Sequence, residues 1–132
     1  MNASVKKQWV EALRSGEYKQ GIHTLRRQCE GQDQFCCLGV LCDLYTKAFP
    51  TAAGKWNHGI IIGHMVPFVR LDSSGEEQAE FECLPPAVCE WAGLRSCDPV
   101  LTFADSHTCV SFLNDEERLD FHAIARIIEE QL

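Results

Sequence analysis

Eight cysteines and five histidines are the residues of this 132-residue chain with the most chemistry to offer. They could hold a metal ion, or one thiolate could act as a nucleophile. Structural zinc sites draw thiolates in close pairs such as C-x2-C, because one tight turn aims both at one ion. The spacings here are Cys29-x6-Cys36-Cys37-x4-Cys42 and Cys83-x5-Cys89-x7-Cys97-x11-Cys109, and none is a ligand pair. The reading is therefore no metal and no cofactor, with the thiols serving as small buried hydrophobes. A nucleophile is the competing idea. Cys36 or Cys37 at the start of a helix would feel the positive end of its dipole, which lowers a thiol pKa. The base would have to come from His23, His58, His64, His107 or His122. His58 and His64 would share one face of a strand, yet no single imidazole is marked out by its neighbours.

Charge gives a second set of candidates. The chain is at −7 overall. Residues 1–27 hold six basic side chains against two acidic ones, so they carry +4 and the remainder carries −11. A protein so acidic is repelled by phosphate backbones, which disfavours direct nucleic-acid binding, and it attracts a basic protein surface. Asp72, Glu76, Glu77, Glu80 and Glu82 crowd one expected hairpin, and Asp115, Glu116, Glu117 and Asp120 precede the last helix. If folding brings the two clusters together, they make one negative face. A pocket for a small nucleotide-like ligand is the alternative, with Arg26, Arg27, His64 and Arg70 near aromatic residues as its phosphate and base contacts. There is no phosphate-cradling glycine loop, serine elbow or paired-carboxylate motif.

The elements that must position these groups follow from pattern. Phe35 to Tyr45 is apolar nearly all round, and Cys37, Val40, Leu41, Leu44 and Ala48 fall in helical rows, so a buried central helix is expected there. Gly39 inside that helix predicts the close approach of another backbone. Ser4 is expected to cap a first helix running to about Ser15, with Val5, Trp9, Ala12 and Leu13 inward and Gly16 closing it. Tyr18 to Arg27 reads as extended, Glu30 to Asp33 as a turn, and Thr51 to Asn57 as a loop. Gly59 to Leu71 reads as one strand or two, Asp72 to Glu76 as a hairpin turn, and Ala79 to Leu84 as the returning strand. Leu84-Pro85-Pro86 opens a helix closed by Gly93. Thr108 onward is either a short helix through Asn114 or a strand, and Asp120 caps a final amphipathic helix. The fold class is α+β: a small antiparallel sheet on about four helices around a cysteine-rich central one, in a single domain over 1–132.

Several of these landmarks occur together in a known family. Trp9, Ala12-Leu13, Ser15-Gly16, Tyr18 and Gln20-Gly21 precede Cys36-Cys37-Leu38-Gly39-Val40-Leu41-Cys42-Asp43-Leu44. Leu84-Pro85-Pro86-x-Val88-x-x-Trp91-x-Gly93-Leu94, Leu113-Asn114-Asp115 and Phe121-x-x-Ile124-Ala125-x-x-Ile128-Glu129 follow. In this the chain resembles a family of small proteins common in bacteriophage and prophage genomes. It departs from the family pattern at Glu116-Glu117-Arg118-Leu119, where a glycine is expected, and in its extra Cys89, Cys97 and Cys109. The resemblance implies a phage accessory product in bacterial cytoplasm and brings no activity with it.

The expectation is accordingly a non-enzymatic accessory protein that inhibits a host protein, such as a member of a defence complex, by covering a basic surface. Leu113-Asn114-Asp115 with Phe121-x-x-Ile124-Ala125 has the apolar spacing of the first half of a helix-turn-helix. The segment is acidic, however, and no recognition helix follows before Leu132. No charged-then-apolar leader opens the sequence, and the run Ile60 to Val69 is too short to span a bilayer, so a cytoplasmic protein with reduced thiols and no membrane role is expected.

Overall fold

The computed structural model describes residues 1–52 and 54–132. Its centre is the cysteine-rich helix, α2 (Cys37–Ala48). The first half of α2, Cys37 to Cys42, is buried on every side, which is why its sequence shows so little polarity. The second half emerges, leaving Leu44 half-buried and Ala48 exposed where the apolar stripe had placed both inward. Around it pack α1 (Ala3–Arg14), α3 (Pro86–Ala92) and α4 (Val110–Asp115), while α5 (Phe121–Gln131) lies against α1 and α4. One hydrophobic cluster runs through all five helices, with Trp9, Leu38, Leu41, Phe68 and Ile128 fully inside.

Local chemistry explains most boundaries. Asn2, not Ser4, caps α1: its Oδ1 accepts from the N–H groups of Ser4 and Val5 at 3.0 and 3.2 Å. Asp120 caps α5 by accepting from the Ala123 N–H at 2.8 Å. Cys36 caps α2 with its sulfur, which receives the Gly39 N–H at 3.4 Å. Gly39 itself fulfils its expected role. A Cβ there would lie 1.7 Å from the Leu25 carbonyl oxygen, so the chain leading into the first strand presses directly on the helix backbone. Trp9 completes the junction by burying its ring, worth about 3 kcal/mol, and donating its Nε1–H to the Cys37 carbonyl at 2.9 Å.

The strands form three small antiparallel sheets in place of the single one expected. The first pairs β1 (Arg26–Cys29) with β2 (Gln32–Phe35), Arg26 opposite Phe35. Glu30 and Gly31 link them with φ of +50° and +76°, the twist a two-residue hairpin requires. Tyr18 to Leu25 is therefore irregular, and the strand begins only where the extended stretch was to end. The second sheet orders β3 (Lys55–Trp56), β4 (Phe68–Leu71) and β5 (Glu77–Glu80). Of the expected loop Thr51–Asn57, residues 55 and 56 are strand, and Ala53 lies outside the described residues. Of the stretch Gly59 to Leu71 expected as one strand or two, Phe68–Leu71 is strand and Gly59 to Pro67 is not. The latter is a loop closed by Asn57 N–H to Pro67 O at 3.0 Å, with Ile60, Ile61 and Ile62 at 41, 43 and 55% exposure. His58 and His64 accordingly share no strand face.

The third sheet pairs β6 (Val100–Phe103) with β7 (Ser106–Cys109), which runs straight into α4. Both alternatives for this segment are partly met, strand to Cys109 and helix after it. Thr108 is no cap. The Ser111 N–H is taken instead by Asp98 Oδ1 at 3.1 Å, and the Val110 N–H by the Pro99 carbonyl at 3.0 Å. No helix among the described residues is long and apolar enough to cross a membrane.

Candidate functional site

The α2 thiols are sealed. Cys36, Cys37 and Cys42 are at most 2% exposed. The helix terminus does favour a thiolate at Cys36, through the N–H groups of Gly39 and Leu38, yet loss of solvation outweighs it and the thiol pKa rises to about 12. Cys37 and Cys42 are pushed well above their ordinary range by the same burial. Cys37 uses its S–H to reach the Val110 carbonyl at 3.7 Å. His64 Nδ1 lies 3.2 Å from the Gln28 carbonyl and His107 Nδ1 3.2 Å from Thr102 Oγ1, so neither imidazole serves a thiol.

A second gathering of thiols was not legible in the spacing. The Leu84 N–H to Cys97 O bond of 2.9 Å draws two distant segments together. Cys83 then lies near Cys97, and Cys89 reaches the carbonyls of Leu84 and Ser96 at 3.8 and 3.7 Å. Burial first, and the Cys97 contact second, raise the Cys83 pKa to about 11. Among the described residues no group of three or more His, Cys, Asp and Glu is arranged to hold a metal ion.

The carboxylates divide by what they do. Asp72 is turned inward onto its own hairpin, where it accepts from the N–H groups of Ser74 and Glu76, the Ser74 hydroxyl and the Gln78 amide. These bonds, led by the Ser74 hydroxyl, hold its pKa down to about 2. Glu80 pairs with Arg70 at 3.6 Å, and Asp115 accepts from the His23 N–H and the Asn114 amide. Glu116 stands 3.9 Å from His23. Glu76, Glu77, Glu82 and Glu117 are exposed and make no ion pair among the described residues. Among the described residues the two acidic clusters are not joined by any hydrogen bond or ion pair. One belongs to the sheet of β4 and β5, and the other to α4, whose main neighbours are α2, α5 and β7.

Three of the four candidate phosphate contacts, Arg26, His64 and Arg70, are engaged within the fold. Arg26 is committed to Asp33 by bonds of 2.8 and 3.3 Å and stacks 5.1 and 5.3 Å from the ring centres of Phe35 and Trp56. Arg27, the next residue of β1, points to the opposite face. His64 is tied to the Gln28 backbone and Arg70 to Glu80. A cleft of about 790 Å³ lies elsewhere, between β7 and the α4–α5 corner, and includes His107, Cys109, Phe112 and Glu117. Glu117, His107 and Cys109 were separate candidates in the sequence, and nothing in their spacing joined them, because these walls come together through the β6–β7 hairpin.

The family model described as a domain of unknown function, DUF8296, matches residues 1–132. The chain belongs to that family. No curated protein and no solved structure matches it. In this DUF8296 chain the polar landmarks have internal work. Asn114 is fully buried, donating to the Gly21 carbonyl and accepting from the Gln20 amide at 2.9 Å each, and it also receives the Cys37 N–H at 3.3 Å. Asp43 accepts from the Tyr18 hydroxyl at 2.6 Å and the Trp56 indole at 3.1 Å. Burial, then that Asp43 bond, raises the Tyr18 pKa to about 12. These residues build the scaffold.

Proposed function

We propose that this chain is a phage-encoded accessory protein that acts in the bacterial cytoplasm by binding, covering a basic surface on a host protein and so inhibiting it. The phage setting is supported by the landmark resemblance. The observation that carries the binding mode is the hairpin tip. Asp72 locks the turn from within, so Glu76 and Glu77 are presented from a preformed shape and lose little freedom when a partner docks. Leu71 stands opposite Glu77 and is 53% exposed. At the other end of the same strand, the loop carrying Ile60 to Ile62 offers apolar area of the kind that marks interaction sites. Exposed apolar side chains beside unpaired carboxylates are the elements of which transient interfaces are made. A basic partner would also be steered in faster at low salt.

Capture from host lysate tests this. The wild-type chain is expected to retain a specific protein that a moderate rise in salt releases, and the Glu76→Lys/Glu77→Lys double variant is expected to lose it. Equal recovery by both would remove the hairpin as the binding face. Both side chains are exposed and unpaired, so the variant's fold is not at risk.

A further inference from the structure

We infer that the free edge of β7 is a strand-addition site for an extended peptide in which basic and apolar residues alternate. The inference rests on the reading of the chain as a binder of basic partners, and names the segment such a partner would insert. The argument begins with hydrogen-bond parity. Val110 N–H bonds Pro99 O, the pair next to Val100 and Cys109 in the β6–β7 register. Closely bonded and open pairs alternate along an antiparallel ladder. Val100 with Cys109 and Thr102 with His107 are therefore the open pairs, whose backbone groups point outward. Thr102 confirms it, because its N–H leaves the ladder for Gln131 Oε1 at 2.9 Å.

The two edges of this hairpin are thus treated differently. α5 satisfies the outward donor of β6 through Gln131. On β7, the outward N–H and C=O of His107 and the outward N–H of Cys109 meet no protein partner among the described residues, while the Cys109 C=O takes the first bond of α4. An open edge of this kind is a template for another strand unless something covers it. The cleft of about 790 Å³ runs along this edge, with all four residues of β7 in its wall and only Phe103 from β6. A strand placed at the usual spacing of about 4.8 Å would lie inside it.

The chemistry of the cleft selects the occupant. Phe112, Leu119 and Ile127 make the far wall apolar. Its charged side chains are Asp98 and Glu117, with no lysine or arginine. Asp98 is occupied by the N–H and hydroxyl of Ser111, which leaves Glu117 at the rim for a cation. Main-chain bonds to His107 and Cys109 would give affinity, and alternate side chains would enter the apolar wall or meet Glu117.

Selection from a random octapeptide display library on the intact protein tests the site. Enriched peptides should alternate Lys or Arg with Val, Ile, Leu or Phe. His107→Pro deletes an outward donor while sparing the ladder to β6, and should weaken those peptides about tenfold. Glu117→Lys, a change at an exposed side chain, should do the same. N-methylation of alternate peptide residues should abolish binding with the protein untouched. Peptide affinity should survive Glu76→Lys/Glu77→Lys. The site is overturned if no peptide is enriched, or if enriched peptides bind the His107→Pro and Glu117→Lys variants and their N-methylated forms undiminished. Such a result alongside host capture that still depends on Glu76 and Glu77 would remove β7 alone. A working β7 with hairpin-independent capture would remove the hairpin alone.

Discussion

Gly39 has no room for a methyl group. A Cβ 1.7 Å from the Leu25 carbonyl must displace backbone, not a pliable side chain. Gly39→Ala should therefore cost about 3 kcal/mol in urea denaturation, although alanine is the better helix former. Asn114→Ala should cost a similar amount, about 3 kcal/mol, because it strands the buried Cys37 N–H and Gly21 carbonyl. The thiols give a third test. Cys97 is exposed, whereas Cys36, Cys37 and Cys42 are buried and raised in pKa. Iodoacetamide at neutral pH should label Cys97 in the native protein and the α2 trio only after denaturation, as mass mapping would show. Rapid native labelling of Cys36 would contradict their role as core. Gly39 could be read from sequence because a glycine inside an apolar helical row already implies a near neighbour. Asn114 and Asp98 could not, since their partners lie 93 and 13 residues away and leave no local pattern.

At the scale of elements, strong periodicity and turn chemistry were legible and short polar strands were not. The helices α2 and α5, the Pro-opened α3 and the Asp72 to Glu76 hairpin lie close to where their patterns put them. β2 escaped notice because Gln-Asp-Gln-Phe has almost no apolar alternation, and its place is set by the hairpin turn and the Arg26 to Asp33 pair. The tri-isoleucine run misled in the opposite direction, since its apolar character signals burial that the fold does not provide. The Asp72 hairpin also makes a prediction about pH. Its carboxyl is held at about 2 in the folded chain against an ordinary value of about 4. The unfolded chain thus binds the proton first, so the stabilisation is complete above about pH 4 and disappears as pH falls through about 2. Urea midpoints between pH 5 and pH 2 should fall more steeply for the wild type than for Asp72→Asn. Parallel curves would show that the turn does not depend on that charge.

For the molecule as a whole, the division of labour among polar groups is the main result. Asp43, Asp72, Asp98, Asn114 and Asp115 are consumed in building a chain of many short elements. Glu76, Glu77, Glu82 and Glu117 are left facing outward. The acidic surplus seen in the composition therefore becomes separate exposed carboxylates, at the hairpin tip and at the β7 cleft, and not one continuous face. Quantitative capture from bacterial lysate with three baits tests this most directly: wild type, Glu76→Lys/Glu77→Lys, and Glu117→Lys. The account predicts one partner enriched on the wild type, depleted at least about tenfold by the hairpin reversal, and released by salt. A partner retained equally by all three baits, and indifferent to salt, would contradict it.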